Sequence, residues 1–247
     1  MIPELLRRLT RTINAVVIDA WQITPRVRRL ALGGPEVVVW LGSEGVAAPA
    51  AWVKLTPPGC GGRGYTIRAL DRAAGVLQID FALHVDEHGQ DCGTVAGWAR
   101  TARPGDVVSL SGPRGGFALQ PDARWVWLAA DATALPAVQT ILAALPQGMP
   151  VFALIVVHDE NEHQDITTAA QLQTLWRYQL EPAHILREDD PVRRAIATLR
   201  GPGQVCMAGE ADWVRSWKQY WMQQRQLEIV RVNGKGYWKV GARGHRG

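Results

Sequence analysis

Cysteine is scarce in this chain. Cys60, Cys92 and Cys206 are odd in number and scattered, without the paired spacings that ligate zinc. They read as free thiols and exclude a disulfide framework or a structural zinc site. Long apolar runs are missing too: no stretch of the ~18 residues of a membrane-spanning helix is apolar throughout. The opening Met1-Ile2-Pro3-Glu4-Leu5-Leu6-Arg7-Arg8 lacks the apolar centre of a signal peptide, so a cytoplasmic protein is expected. Internal repeats and low-complexity segments are absent. So is any Ser-His-Asp, Cys-His or metal-ligand constellation, and no side chain is expected to serve as acid, base or nucleophile. The formal charge of +4 and pI near 9.2 favour anionic partners. Lysine and arginine are nevertheless spread along the chain with no basic stripe, which argues against nucleic acid and for a nucleotide or anionic small molecule.

What is present suits a packed protein of one large or two ordinary domains: 247 residues, 47% of them hydrophobic. Eleven tryptophans are many for this length and read mostly as core anchors, with a minority free for ring stacking. Short strand patterns recur at residues 13–21, 26–32, 51–55, 65–70, 75–84 and 106–110, separated by Thr24-Pro25, Gly33-Gly34, Pro57-Pro58-Gly59 and Gly61-Gly62. Strands at this spacing predict a closed, six-stranded antiparallel barrel over residues 1–120.

The rhythm changes at Pro121. Residues 125–131 form an apolar run suited to a central parallel strand, and residues 133–145 carry helical spacing at Leu135, Val138, Ile141 and Leu142. Further strands are expected at 151–157, 174–178 and 204–209, and helices at 191–199 and 211–226. This alternation predicts a parallel α/β domain over residues 121–247. By fold analogy, a barrel followed by such a domain holds flavin in one half and nicotinamide dinucleotide in the other.

The chemistry centres on Arg63-Gly64-Tyr65-Thr66-Ile67-Arg68. As a strand it points Arg63, Tyr65 and Ile67 one way and Gly64, Thr66 and Arg68 the other. That offers a guanidinium for phosphate beside an aromatic face for a flat ring, although an ordinary half-buried strand has the same pattern. Gly93-Thr94-Val95 reads as a glycine turn opening a helix, suited to a pyrophosphate or simply a helix start, with His84 one loop earlier. Asp131-Ala132-Thr133-Ala134-Leu135-Pro136 stands at the carboxyl end of the first parallel strand, where such sheets bind ligands; Thr133 as a helix cap is the structural alternative. Arg215 and Lys218 share a helix face that suits a 2′-phosphate or plain solvent.

Taken in order with Ile79-Asp80-Phe81-Ala82-Leu83-His84, Trp98-Ala99, Pro104-Gly105-Asp106, Gly112-Pro113-Arg114-Gly115, Ala208-Gly209-Glu210 and Gly236-Tyr237-Trp238, these segments resemble the siderophore-interacting protein family. Those are FAD-containing ferric-siderophore reductases with a ferredoxin-reductase-like fold. The compact length and Val53-Lys54-Leu55 resemble the branch that uses NADPH.

The resemblance implies a flavin-binding barrel and a nicotinamide-dinucleotide domain whose C-terminal tail returns toward the flavin. FAD would be held by Arg63, Gly64, Tyr65, Thr66, His84, Gly93, Thr94 and Val95. NADPH, or NADH, would meet Asp131, Thr133, Ala134, Arg215 and Lys218, with Trp238 beside the cofactors. Lys54, Arg114 and Arg231 would receive an anionic ferric siderophore, with Lys239 or Arg243 able to replace Arg231. A monomer or weak dimer is expected, with no metal resident in the protein.

The chain departs from the family pattern at Ala132 (usually glutamate), at Ala96 (usually serine) and in a long 85–92 loop. A general flavin or ferredoxin-type reductase, and a flavin- or siderophore-binding module without turnover, are the alternative readings.

Overall fold

The computed structural model describes residues 12–83 and 94–241. The chain divides into two compact units, Met1–Phe117 and Ala118–Gly247.

The first unit is an antiparallel sheet of β1 (Thr12–Thr24), β2 (Val27–Gly33), β3 (Ala51–Thr56), β4 (Arg63–Thr66), β5 (Ala69–Asp71), β6 (Val76–Ala82) and β7 (Val107–Gly115). Their order is β4-β3-β7-β1-β2-β6-β5. The expected strand over 65–70 is thus two strands. The amide of Ile67 donates to the Ala51 carbonyl at 2.9 Å and that of Arg68 to the Gln78 carbonyl at 2.8 Å. The chain therefore leaves β3 and joins β6 within two residues, so one continuous stretch lies on both edges and closes the barrel. The predicted alternation holds through Thr66 and fails beyond it, where Thr66 and Ile67 are both buried. Val17, Leu30, Leu32, Val53, Leu55, Ile79, Phe81 and Leu110 fill the interior.

Residues 35–40, to which the sequence assigned no element, form α1 (Pro35–Trp40). Proline in the first turn and Glu36 beside it favour a helix start over the β-branched Val37-Val38-Val39. Trp40 anchors it, its indole N–H donating to the Gly112 carbonyl at 2.8 Å. Helix α2 (Thr94–Thr101) is held at its carboxyl end by Arg28, whose guanidinium donates to the carbonyls of Arg100 (2.9 Å) and Ala102 (3.0 Å).

Asp80, buried on β6, is gripped by Arg29 through Nε at 2.5 Å and Nη2 at 2.8 Å, with the Nε of Arg68 at 3.8 Å. Burial first, and then the neighbouring Arg29 charge, pull the Arg68 pKa below its ordinary value.

The second unit is a five-stranded sheet, order β10-β9-β8-β11-β12, parallel throughout. Its strands are β8 (Val126–Asp131), β9 (Pro150–Val156), β10 (Gln171–Arg177), β11 (Gln204–Glu210) and β12 (Val232–Trp238), with helices α3 (Leu135–Ala144), α4 (Pro191–Thr198) and α5 (Ala211–Gln219). Every residue of β8, the central strand, is buried. Residues 232–238, read from the sequence as part of a tail, are the fifth strand; Gly234 and Gly236 mask their strand character. The helix expected over 211–226 ends at Gln219 and continues as a π turn through Gln224. Under it, Trp127 lies 4.9 Å from Trp217 and 5.1 Å from Trp221, ring centre to ring centre. These tryptophans are core anchors, as expected. No helix among the described residues is long and apolar enough to cross a membrane.

Replacing Asp80 with alanine strands two guanidinium groups at the barrel wall and is expected to cost about 3–5 kcal/mol. Arg29→Met with Asp80→Leu removes the close ion pair together, leaving only the more distant and more exposed Arg68, and should recover most of it. Urea unfolding of the two variants measures the difference.

Candidate functional site

Register on β3 sorts the residues of the barrel site. Tyr65 lies opposite Val53 and Arg63 opposite Leu55, so these two share the apolar side of the sheet; Gly64 and Thr66, opposite Lys54 and Trp52, share the outer side. Tyr65 rests on Phe81 with ring centres 4.5 Å apart, and Phe81 meets Trp98 of α2 at 6.3 Å. An aromatic path thus joins the Arg63–Tyr65 side to α2, whose first turn carries no acidic residue. Burial raises the Tyr65 phenol above its ordinary pKa, and the nearby Arg63 charge opposes it. Arg63 itself is exposed, with no hydrogen bond or ion pair among the described residues.

An exposed guanidinium, a half-buried phenol ring and a helix start free of acidic side chains fit the phosphates and flat ring of a flavin dinucleotide. Val95 is buried in the core, so only its backbone is available to such a ligand. His84, Gly93 and Arg243 lie outside the described residues, and of Thr94 only its place at the head of α2 is described.

The outer face brings Lys54 and Arg114 to either side of Trp52. Trp52 pairs with Arg114 in register and Lys54 with Ser111. The Arg114 guanidinium sits 5.4 Å from the indole centre and donates to Ser111 Oγ at 3.3 Å. The indole lies over glycines: a Cβ on Gly64 would come within 3.1 Å of the ring, and one on Gly115 within 2.6 Å of its nitrogen. A Cβ on Gly62 would meet the Lys54 stem at 2.5 Å. Neither cation is paired with a carboxylate among the described residues. Sequence reasoning missed Trp52; its signal was the outward Trp52-Val53-Lys54 alternation facing glycines on the neighbouring strands.

At the carboxyl end of the parallel sheet, Asp131 is buried and accepts four hydrogen bonds. One oxygen takes the Thr133 N–H (2.9 Å) and Oγ1–H (2.5 Å). The other takes the Glu210 N–H (2.8 Å) and the Trp238 indole N–H (2.7 Å). Gly209 is required there: its φ is +141° and a Cβ would lie 2.5 Å from the carboxylate. Burial pushes the Asp131 pKa up, and the bonds from Thr133, Trp238 and Glu210 pull against it. Glu210, also buried, caps α5 by accepting from the Trp213 N–H at 2.7 Å. Asp131, Thr133 and Trp238 are therefore brought together, but as a clamp joining β8, β11 and β12; the carboxylate's acceptor sites are occupied. Ala134 is wholly buried. The capping role of Glu210 was visible only as an acid placed after a strand and before a helix.

The remaining cations are divided. Arg215 and Lys239 both bind Asp212, at 2.7 and 3.2 Å. The Lys239 hydrogen bond is the larger cause of the lowered Asp212 pKa. Lys218 lays its stem toward Gly234. Arg231 precedes β12, at the opposite, amino end of the sheet, bound to Asp122 at 2.6 Å and near the Gly203 carbonyl. The structure does not bring Arg231 to Asp131 or Trp238; Lys239 is the cation at that edge.

The profile of the siderophore-interacting FAD-binding domain matches residues 47–117, and that of siderophore-interacting protein matches residues 123–241. Ferric vibriobactin reductase ViuB of Vibrio cholerae is 28% identical over 185 residues, 72% of this chain and 65% of that protein. The NADPH-dependent ferric-chelate reductase of Escherichia coli K12 is 28% identical over 171 residues, 66% of this chain and 60% of that protein. The chain thus spans about two thirds or less of the length of these curated relatives. A solved siderophore utilization protein from T. fusca superimposes with a TM-score of 0.76 at 29% identity, covering 96% of each chain.

Asp131→Asn turns an amide NH₂ toward N–H donors and is expected to cost about 2 kcal/mol of stability. Trp238→Phe, which removes one donor and leaves the carboxylate three, should cost less. Thermal unfolding of the two variants ranks them.

Proposed function

This chain belongs to the siderophore-interacting protein family, and we propose on that premise that it is an FAD-dependent ferric-siderophore reductase. It draws electrons from NADPH, with NADH as the other candidate donor, and releases Fe(II) for iron assimilation. Bound FAD would supply the chemistry, accepting hydride from the dinucleotide and passing single electrons to Fe(III). Reduction weakens the hard-oxygen chelate.

The protein's part is binding and charge. Arg63 is suited to the FAD phosphates, Tyr65 to the flat ring, and Thr66 and the backbone of Gly64 to its edge. His84, Gly93, Thr94 and Val95 are assigned to the pyrophosphate. Thr133 and the Asp131 clamp shape the edge at which nicotinamide would enter, with Trp238 fixed beside it. Lys218 is the better candidate for the 2′-phosphate, since Arg215 shares Asp212 with Lys239. The protein is taken to act in the cytoplasm as a monomer or weak dimer.

The observation that carries the substrate assignment is the pair of cations on one barrel face, Lys54 and Arg114, neither matched to an acid among the described residues. Such a rim attracts an anionic ferric chelate, and salt weakens the attraction by screening. The relatives named for ferric-vibriobactin and ferric-chelate reduction support the same reading. Arg231, held by Asp122 at the amino end of the sheet, is a poor third cation; Lys239 stands next to Trp238 but is itself held by Asp212.

Anaerobic addition of NADPH or NADH to the FAD-loaded protein should bleach the flavin absorbance, and a ferric siderophore should restore it while a ferrous trap colours. The Lys54→Ala, Arg114→Ala double variant should bleach normally yet lose about tenfold or more in kcat/KM for the ferric chelate at low salt, with a flatter salt dependence. Unchanged chelate turnover in that variant removes the substrate assignment. A flavin that neither donor bleaches favours a binding module, and preferred turnover of free flavin or ferredoxin favours a general reductase.

A further inference from the structure

Among the described residues of the first unit, four large apolar side chains are strongly exposed: Ile18, Val38, Val39 and Val107. They gather on one outer face of the barrel. Val107 of β7 lies opposite Val16 of β1, and both alternate with Ala15, Val17 and Val108, which fill the interior. Ile18 continues the row over Gly33, where a Cβ would meet its side chain at 2.8 Å and stand 3.4 Å from the Gly75 carbonyl oxygen. A Cβ on Gly75 would in turn meet a Val38 methyl at 2.7 Å. Two buried glycines thus let Ile18 and Val38 close over them, and the aliphatic row runs from β7 across β1 to α1. It is left open to solvent, with Ile18 49% and Val38 58% exposed.

Four exposed acids border the row. Asp19 follows Ile18, Asp106 precedes Val107, Glu36 stands on α1 with Val38, and Asp71 opens the turn that ends in Gly75. None is in an ion pair among the described residues. They outnumber the cations there, Arg72 and Arg103, and Arg72 is turned to the Leu41 carbonyl. A second copy presenting the same face would bring like charges together, and so would an anionic membrane. The occupant this face suits has an apolar stripe and positive charge.

Residues 1–11 supply both. Ile2, Leu5, Leu6 and Leu9 recur at the spacing of one helix face, and Arg7, Arg8 and Arg11 stand against a single acid, Glu4. The point of attachment is also right. The chain enters β1 at Thr12, and β1 pairs with β7 from there but with β2 only from Val16. Helix α1 stands beside the stretch between, the Asn14 N–H donating to Glu36 at 3.4 Å. From Thr12 to Val16 a strand covers ~13 Å, and from Ile2 to Leu9 a helix covers ~12 Å. A helix turning back at Thr12 therefore has the length to lie along the row. Eleven residues are too few to hold a helix in water alone, so the contact itself must stabilise it.

We propose that residues 1–11 dock as an amphipathic helix on the outer row of Val107, Val16, Ile18 and Val38. Ile2, Leu5, Leu6 and Leu9 face the row, and the arginines stand among the bordering acids. The segment acts as a strap that ties β1 and β7 to α1, whatever reaction the protein performs.

Amide hydrogen exchange on the full chain tests the strap. In the parent protein the amides of residues 6–11 should exchange about tenfold or more slowly than in an unstructured chain. Leu5→Ser with Leu9→Ser, and separately Val38→Glu, should each abolish that protection and lower the Tm by about 4 °C. Joining the segment and patch changes should lower it little further, since both remove the same contact. Ile18→Glu repeats the patch test on β1 and leaves α1 unchanged. Exchange at the unstructured rate in the parent protein overturns the proposal, as does protection that survives both patch variants. A dimer by light scattering that the Leu5→Ser, Leu9→Ser variant dissociates overturns it too, because the segment then docks on a second copy. So does parent binding to phosphatidylglycerol vesicles that the same variant loses, because its apolar face then serves a lipid surface.

Discussion

Closure of the barrel rests on a single stretch that must serve two sheet edges at once. Arg63–Thr66 pairs with β3 and Ala69–Asp71 with β6, and only Ile67 and Arg68 lie between. The backbone has to change partners there, which ends the regular alternation and turns Ile67 into the core. The same seam displays the exposed guanidinium of Arg63 and the ring of Tyr65 on one side and carries Gly64 under Trp52 on the other. Barrel closure and ligand recognition are therefore one geometric problem solved by one segment. The Asp80–Arg29–Arg68 cluster lies alongside, holding β6 and β2 while supplying Arg68 with a counter-charge.

The two units were legible in the sequence because their hydrophobic periods differ: short alternating runs with glycine and proline breaks in one, continuous apolar strands followed by helical spacing in the other. What escaped depended on partners distant along the chain. Val37-Val38-Val39 has strand propensity, yet Pro35 starts a helix and Trp40 pins it to Gly112, some seventy residues later in the chain. Gly234 and Gly236 hid β12, whose pairing comes from β11 and whose end is tied to β8.

The candidate site was legible at the level of residue types and less so at the level of what each type is free to do. Arg63, Lys54 and Arg114 are cations without a neutralising acid among the described residues, as a ligand-facing role requires. Arg215, expected at the dinucleotide phosphate, Arg231, expected at the siderophore, and its substitute Lys239 are all bound to carboxylates. Asp131 stood where strand-end ligands bind, but its lone pairs are consumed by Thr133, Glu210 and Trp238. No local pattern reveals a spent hydrogen-bonding capacity; it follows from the sheet order that brings β8, β11 and β12 side by side.

The bond from Trp238 to Asp131 couples the far edge of the second sheet to its middle strand across a distance of two strands. Edge strands ordinarily fray alone, because what they lose is a single ladder. Here the peeling of β12 would withdraw a donor from a carboxylate buried in the sheet's centre, so the penalty is felt at β8. In amide exchange, the last strand of the chain should open together with the core and not ahead of it.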